Sequence, residues 1–112
     1  MTFSSYLMHV RTDRAKHLLR SYGLKLDEVA ARCGYRDTAY FCRVFKRATG
    51  LSPHQYVMKA RLERAQQMLG GTELSIAQVA DSLGFGSQSH FTRAFRSFTG
   101  QTPSSWRMAN FH

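Results

Sequence analysis

The chain has 112 residues, enough for one compact domain or two very small subdomains sharing a spine, which excludes a separate sensing or catalytic domain within it. Sixteen Lys and Arg against seven Asp and Glu give a formal charge of +9, which favours a polyanionic partner through counterion release and points to nucleic acid. An anionic membrane ranks below it, because the basic residues are spread over several short segments rather than along one amphipathic helix.

In chain order, the first predicted element is an opening helix over Ser4 to Ser21. A second helix follows from Leu26, Val29, Ala30 and Cys33, which recur at i, i+3, i+4 and i+7 and so form one apolar stripe. Gly34 stands where that helix must stop in a left-handed cap. After a short turn, Phe41, Val44, Phe45 and Ala48 form the stripe of a third helix, completing a helix-turn-helix that Gly50 ends. Ser52 to about Leu69 contains no breaker, carries Tyr56, Val57, Ala60, Ala65, Met68 and Leu69 for inward packing, and predicts a linker helix about 25 Å long. Ser52 with Gln55 fits a capping box, Pro53 takes the first helical position, and Gly70-Gly71-Thr72 ends the helix. A second round then begins. Ser75 with Gln78 is another capping box, and Ile76, Val79, Ala80 and Leu83 form the stripe, with Gly84 behind them. Phe91, Ala94, Phe95 and Phe98 follow, then Gly100 and Pro103. Lys25 stands where the second round has Ser75, so the first round lacks that cap.

The two rounds are one unit written twice. An offset of 50 lays Arg14-Ala15 on Arg64-Ala65, Leu19 on Leu69, Val29-Ala30 on Val79-Ala80, Gly34 on Gly84, Phe41 on Phe91, Arg43 on Arg93, Phe45 on Phe95, Thr49-Gly50 on Thr99-Gly100 and Pro53 on Pro103, with no insertion. The expected fold is all-α: seven helices, two tandem helix-turn-helix subdomains over 1–51 and 71–112, and a linker helix over 52–70.

In each unit the apolar stripe of the third helix fixes which side faces inward. The other side carries Arg36, Thr38, Ala39, Cys42, Arg43, Lys46 and Arg47 in the first unit, and Ser87, Gln88, Ser89, Thr92, Arg93 and Arg96 in the second. Arginine suits bidentate contact with guanine and glutamine with adenine, whereas Lys46, Arg47 and Arg96, further along, suit phosphates. A charged stripe is usually just a solvated face. Here the same arginine recurs at the same step of two units, which favours recognition.

These residues also spell R-x-x-R-A-x-x-L-L, V-A-x-x-x-G-[YF] and F-x-R-x-F-[KR]-x-x-T-G-x-[ST]-P, and over about nine-tenths of its length the chain resembles the DNA-binding domain of the AraC/XylS family. The resemblance implies two recognition helices entering successive major grooves of one promoter site. By motif position it implies base contacts from Thr38, Ala39, Cys42 and Arg43 and from Gln88, Ser89, Thr92 and Arg93. Expected phosphate contacts are Arg36, Lys46, Arg47, Ser75, Ser87 and Arg96. Double-stranded DNA is then the partner of a domain that binds it as a monomer, with RNA polymerase touched in activators. Ala39 and Cys42 are small and weakly polar, so the first unit is expected to read thymine methyl groups or DNA shape, and the second to discriminate more.

The competing function is a non-specific architectural nucleic-acid binder. An enzyme has little support: there is no Gly-rich phosphate loop, no paired carboxylate site and no nucleophile with its base. Cys33 and Cys42 form no CxxC pair, and the five histidines no ligand constellation, so neither metal nor cofactor is expected. The start, Met1-Thr2-Phe3-Ser4-Ser5, lacks a signal-peptide core, and no apolar run reaches membrane-spanning length. A cytoplasmic bacterial protein, at the nucleoid when bound, is the expectation. Tyr56 and Trp106 are expected as core anchors, Cys33 as core and Cys42 as an outward-facing thiol.

Overall fold

A computed structural model of the protein describes residues 2–20 and 24–111. Its seven helices are α1 (Phe3–Leu19), α2 (Leu26–Arg32), α3 (Thr38–Thr49), α4 (Pro53–Gly71), α5 (Ile76–Ser82), α6 (Gln88–Thr99) and α7 (Pro103–Asn110), and no strand occurs among the described residues. The chain divides into two compact units, Met1–Val57 and Met58–His112, with the division falling inside the unbroken α4. α1 begins one residue before the expected start and ends at Leu19; the expected end at Ser21 lies outside the described residues.

The offset of 50 holds for the starts of the helices: α2 and α5, α3 and α6, α4 and α7, and α1 and α4 each begin 50 residues apart. Local chemistry sets the boundaries. Gly34 and Gly84 stand at φ of +91° and +83° directly after the last turns of α2 and α5, a region that a Cβ would strain. Ser75 and Gln78 exchange both capping-box bonds, and Ser52 and Gln55 do the same before α4. Lys25 occupies the cap position of α2 with extended backbone and no side-chain bond. Lys25→Ser should therefore stabilise the first unit by about 0.5–1 kcal/mol. The check is urea unfolding followed by circular dichroism, and an unchanged midpoint would mean that the Asp27 and Glu28 side chains already serve this helix end.

Each unit closes around an aromatic column. In the first, Val29, Ala30, Cys33, Phe41 and Phe45 are buried with Ala15 and Leu19 of α1, and the rings of Tyr35, Phe41, Phe45 and Tyr56 follow one another at 5.4, 5.9 and 5.6 Å. In the second, Val79, Ala80, Leu83, Phe91 and Phe95 are buried with Leu62, Ala65 and Leu69 of α4, and Phe85, Phe91, Phe95 and Trp106 follow at 5.1, 5.6 and 6.1 Å. Tyr56 and Trp106 are thus core anchors. Each buried Phe contributes about 1.5–3 kcal/mol of transfer free energy, which dominates units this small. The second core is the more apolar, holding Leu62, Leu83 and Phe85 where the first has Thr12, Cys33 and Tyr35.

Four expectations need correction. Ala48 and Phe98, the last positions of the third-helix stripes, are exposed, Phe98 by 41%. The twelve-residue α3 and α6 run about 18 Å, while the seven-residue helices packed beneath them run about 10 Å, so the cover ends before the stripe does. Leu26 is also exposed, at 36%, in the first turn of α2. Gly70 and Gly71 do not break α4 but form its last turn. A Cβ at Gly70 would come within 3.3 Å of the Asn110 carbonyl oxygen and 3.4 Å of the Trp106 ring, so this glycine lets α7 approach closely. The end of α4 is held instead by Arg107, which donates to the carbonyls of Leu69 and Thr72 at 3.0 and 3.3 Å.

Candidate nucleic-acid interface

The residues singled out from the sequence fall on α3 and α6 and the turns before them. Both helices are fixed at each end. The Asp37 carboxylate accepts from the amides of Ala39 and Tyr40 at 2.9 and 3.4 Å, and the Ser87 hydroxyl accepts from the amide of His90 at 3.1 Å. Gly50 and Gly100, left-handed at φ of +83° and +82°, close the far ends. With Phe41 and Phe45 or Phe91 and Phe95 pinned inside, the rotation of each helix about its axis is set, and so is the identity of its outer face.

Ala39, Arg43, Lys46 and Arg47 are exposed on α3, as is Arg36 in the turn before it. Gln88, Ser89, Arg93 and Arg96 are exposed on α6, with Ser87 at its cap. Thr38 and Thr92 are half-buried. Cys42 is not the outward-facing thiol expected: it is half-buried and packs against the first core, because it lies between Phe41 and the exposed Arg43 on the helix wheel. Burial pushes the Cys42 thiol above its ordinary range. It does the same to Cys33, which is core as expected, although Arg14 and Arg11 pull that thiol partly back. Both thiols are therefore poor nucleophiles at neutral pH. Ser75 is exposed at the cap of α5, but its amide donates to Gln78 Oε1 and its hydroxyl accepts from the Gln78 amide, so only its hydroxyl proton is left to offer a phosphate.

Among the described residues, none of Arg36, Arg43, Lys46, Arg47, Arg93 and Arg96 forms an ion pair with a carboxylate, whereas His9 pairs with Asp13 at 3.4 Å. Their charge is left for an external anion. No group of three or more His, Cys, Asp or Glu side chains that could hold a metal occurs among the described residues, and no described helix is long and apolar enough to cross a membrane.

Three residues of this surface escaped the sequence reading or were undervalued in it. Tyr40, 51% exposed, lies on α3 between Ala39 and Arg43, with the Arg43 guanidinium 5.8 Å from its ring centre. His90 holds the same register on α6, also exposed, its ring edge-on to Phe85 at 5.4 Å. Asp37 brings the one carboxylate of this surface and spends it on the helix cap; its alignment with Ser87 at the offset of 50, both strong capping residues, was the available signal.

Two helix-turn-helix units in one chain, each with a capped basic helix turned to solvent, define a tandem helix-turn-helix domain. A helix-turn-helix domain family model matches residues 1–59 and again 40–109. A crystal structure of a transcriptional regulator with an AraC-type DNA-binding domain from Chromobacterium violaceum is 30% identical, with a TM-score of 0.83 over 91% of this chain and 93% of that one. The DNA-binding domain of the global transcriptional factor AdpA, solved in complex with a target DNA, is 27% identical with a TM-score of 0.76 over 91% of this chain and 90% of that one. The transcriptional activator RhaR of Cronobacter sakazakii is 49% identical over 53 residues, which are 47% of this chain and 19% of RhaR. The chain belongs to the AraC/XylS family of helix-turn-helix transcriptional regulators, a family of DNA-binding regulators and not of enzymes. It spans about a fifth of the length of that curated relative.

Proposed function

We propose that this chain is the DNA-reading part of a transcription regulator, binding one promoter site as a monomer with α3 and α6 in successive major grooves. The observation that carries this reading is the recurrence of an exposed, ion-pair-free arginine at one step of two capped helices, Arg43 beside buried Phe41 and Arg93 beside buried Phe91. Arg43 and Arg93 take guanine O6 and N7, and Gln88 takes adenine N6 and N7. Ser89 and the half-buried Thr92 complete the reading of the second half-site. Thr38, Ala39 and the edge of Cys42 offer methyl, methylene and sulfur surface to thymine methyl groups in the first. Arg36, Lys46, Arg47 and Arg96 neutralise phosphates, with Ser75 and Ser87 donating their hydroxyl protons. The AdpA domain was solved on its target DNA, and RhaR is an activator. By analogy with the latter, a contact with RNA polymerase belongs to the same proposal.

Major grooves on one face of straight B-DNA recur every ~34 Å, while the nineteen residues of α4 span about 28 Å. On that difference in length, the proposal includes a bend of the bound site when both recognition helices dock, at a cost on the order of 1–6 kcal/mol.

Selection of bound duplexes from a random pool, followed by footprinting and circular-permutation mobility of the winner, tests all of this at once. The expected result is a bent site protected in two adjacent major grooves and preferred about 10³-fold or more over unrelated sequence. Equal affinity for every duplex would establish the architectural alternative instead. Protection of one groove alone would refute the two-groove mode.

A further inference from the structure

We propose that Tyr40 is a positioning residue for Arg43, so that discrimination by the first unit depends on an aromatic ring that lies outside the family motif quoted above. This rests on the reading of Arg43 as a base contact.

Four side chains follow one another in contact across the first unit. The Arg11 guanidinium, from α1, lies 5.2 Å from the centre of the Tyr35 ring, Tyr35 lies 6.0 Å from Tyr40, and Tyr40 lies 5.8 Å from the Arg43 guanidinium. The inner end is anchored. Tyr35 is half-buried, packs against the first core and lies 5.4 Å from buried Phe41, while Arg11 closes over Gly34, whose absent Cβ would sit 3.2 Å from the guanidinium. Only the outer end, Tyr40 and Arg43, is exposed.

An exposed arginine at three residues' remove from any support samples many rotamers, and a base edge can use only a few of them. A ring face at i−3 attracts the guanidinium and restricts that sampling, while leaving the forked N–H donors at its edge free to point outward. The restriction is bought before DNA arrives, so it appears as discrimination and not as an extra contact. The second unit is built differently at the same register. His90 replaces Tyr40, its ring 5.4 Å from that of Phe85, the counterpart of Tyr35, so Arg93 has an imidazole and not a tyrosine three residues before it. The two arginines thus hold the same place in the repeat with different support.

The experiment measures affinities of the whole chain, as Tyr40→Ala, Tyr40→Phe, Tyr40→His, Arg43→Ala and Tyr40→Ala/Arg43→Ala, on the selected duplex and on versions altered one base pair at a time. Thermal unfolding of each variant confirms that it is folded. At the base pair where Arg43→Ala relaxes preference, Tyr40→Ala and Tyr40→His should each lower discrimination about two- to fivefold, and Tyr40→Phe should retain it. In the Arg43→Ala background, Tyr40→Ala should change that base preference no further. Full discrimination in Tyr40→Ala, where Arg43→Ala has lost it, overturns the proposal alone. So does an undiminished Tyr40→Ala effect in the double variant, which would make Tyr40 a contact in its own right. An Arg43→Ala variant that loses affinity equally on every duplex overturns the underlying assignment of Arg43, and this proposal with it.

Discussion

Phe95→Ala should destabilise the second unit by about 3–5 kcal/mol, a large share of the stability a unit this small can have. Phe95 is fully buried between Phe91 and Trp106, with ring centres at 5.6 and 6.1 Å, and a seven-residue and an eight-residue helix are too short to close over the resulting cavity. Trp106 is the single tryptophan of the chain and lies in this unit, so the midpoint of denaturant unfolding read by its fluorescence reports the effect directly. Phe98→Ala is the matching control. Three residues along the same helix but 41% exposed, it should cost no more than about 1 kcal/mol. Equal costs at the two positions would mean that the core extends along the whole stripe to Phe98.

Arg43→Ala combined with Arg93→Ala should weaken binding to the selected site by about 2–6 kcal/mol, leaving affinity near that for unrelated DNA. Each arginine alone should account for ~1–3 kcal/mol and relax one base position, and the two losses should add because each belongs to a different unit. Affinity on random duplex should fall far less, and the slope of log affinity against log salt should change little, because that slope counts neutralised phosphates and these two arginines are assigned to base edges. Uniform loss on cognate and random DNA alike would reduce both arginines to phosphate anchors. The competition titration that separates these outcomes needs only the duplex and a salt series.

Much of the fold was legible from residue order. The four left-handed glycines and the Ser–Gln capping boxes are local signals, each acting over a few residues of chain, and each marks a boundary that the offset of 50 repeats in the structure. The errors cluster where an outcome depends on another element's length or proximity. Ala48 and Phe98 satisfy the helical period yet are exposed in the last turns of α3 and α6, beyond the short α2 and α5, and Leu26 is exposed in the first turn of α2. Gly70 reads as a breaker until the Trp106 ring and the Asn110 carbonyl are seen to need the space a Cβ would fill. Leu62 was absent from the inward set of α4 and is 3% exposed in the second core. At the candidate interface, the outer faces of α3 and α6 follow from the stripes opposite them, whereas the half-burial of Cys42 and the chain of contacts from Arg11 to Arg43 do not.

That this protein is a duplicated all-α unit with two basic helices follows from residue order alone, because helix period and caps are properties of chain neighbours and the repeat is a plain identity of residue order. Which apolar residues are covered, where close approach demands glycine, and which ring lies under Arg43 are set by packing in three dimensions. Those are matters of reach between side chains far apart in sequence, and neither periodicity nor composition carries the distance between them.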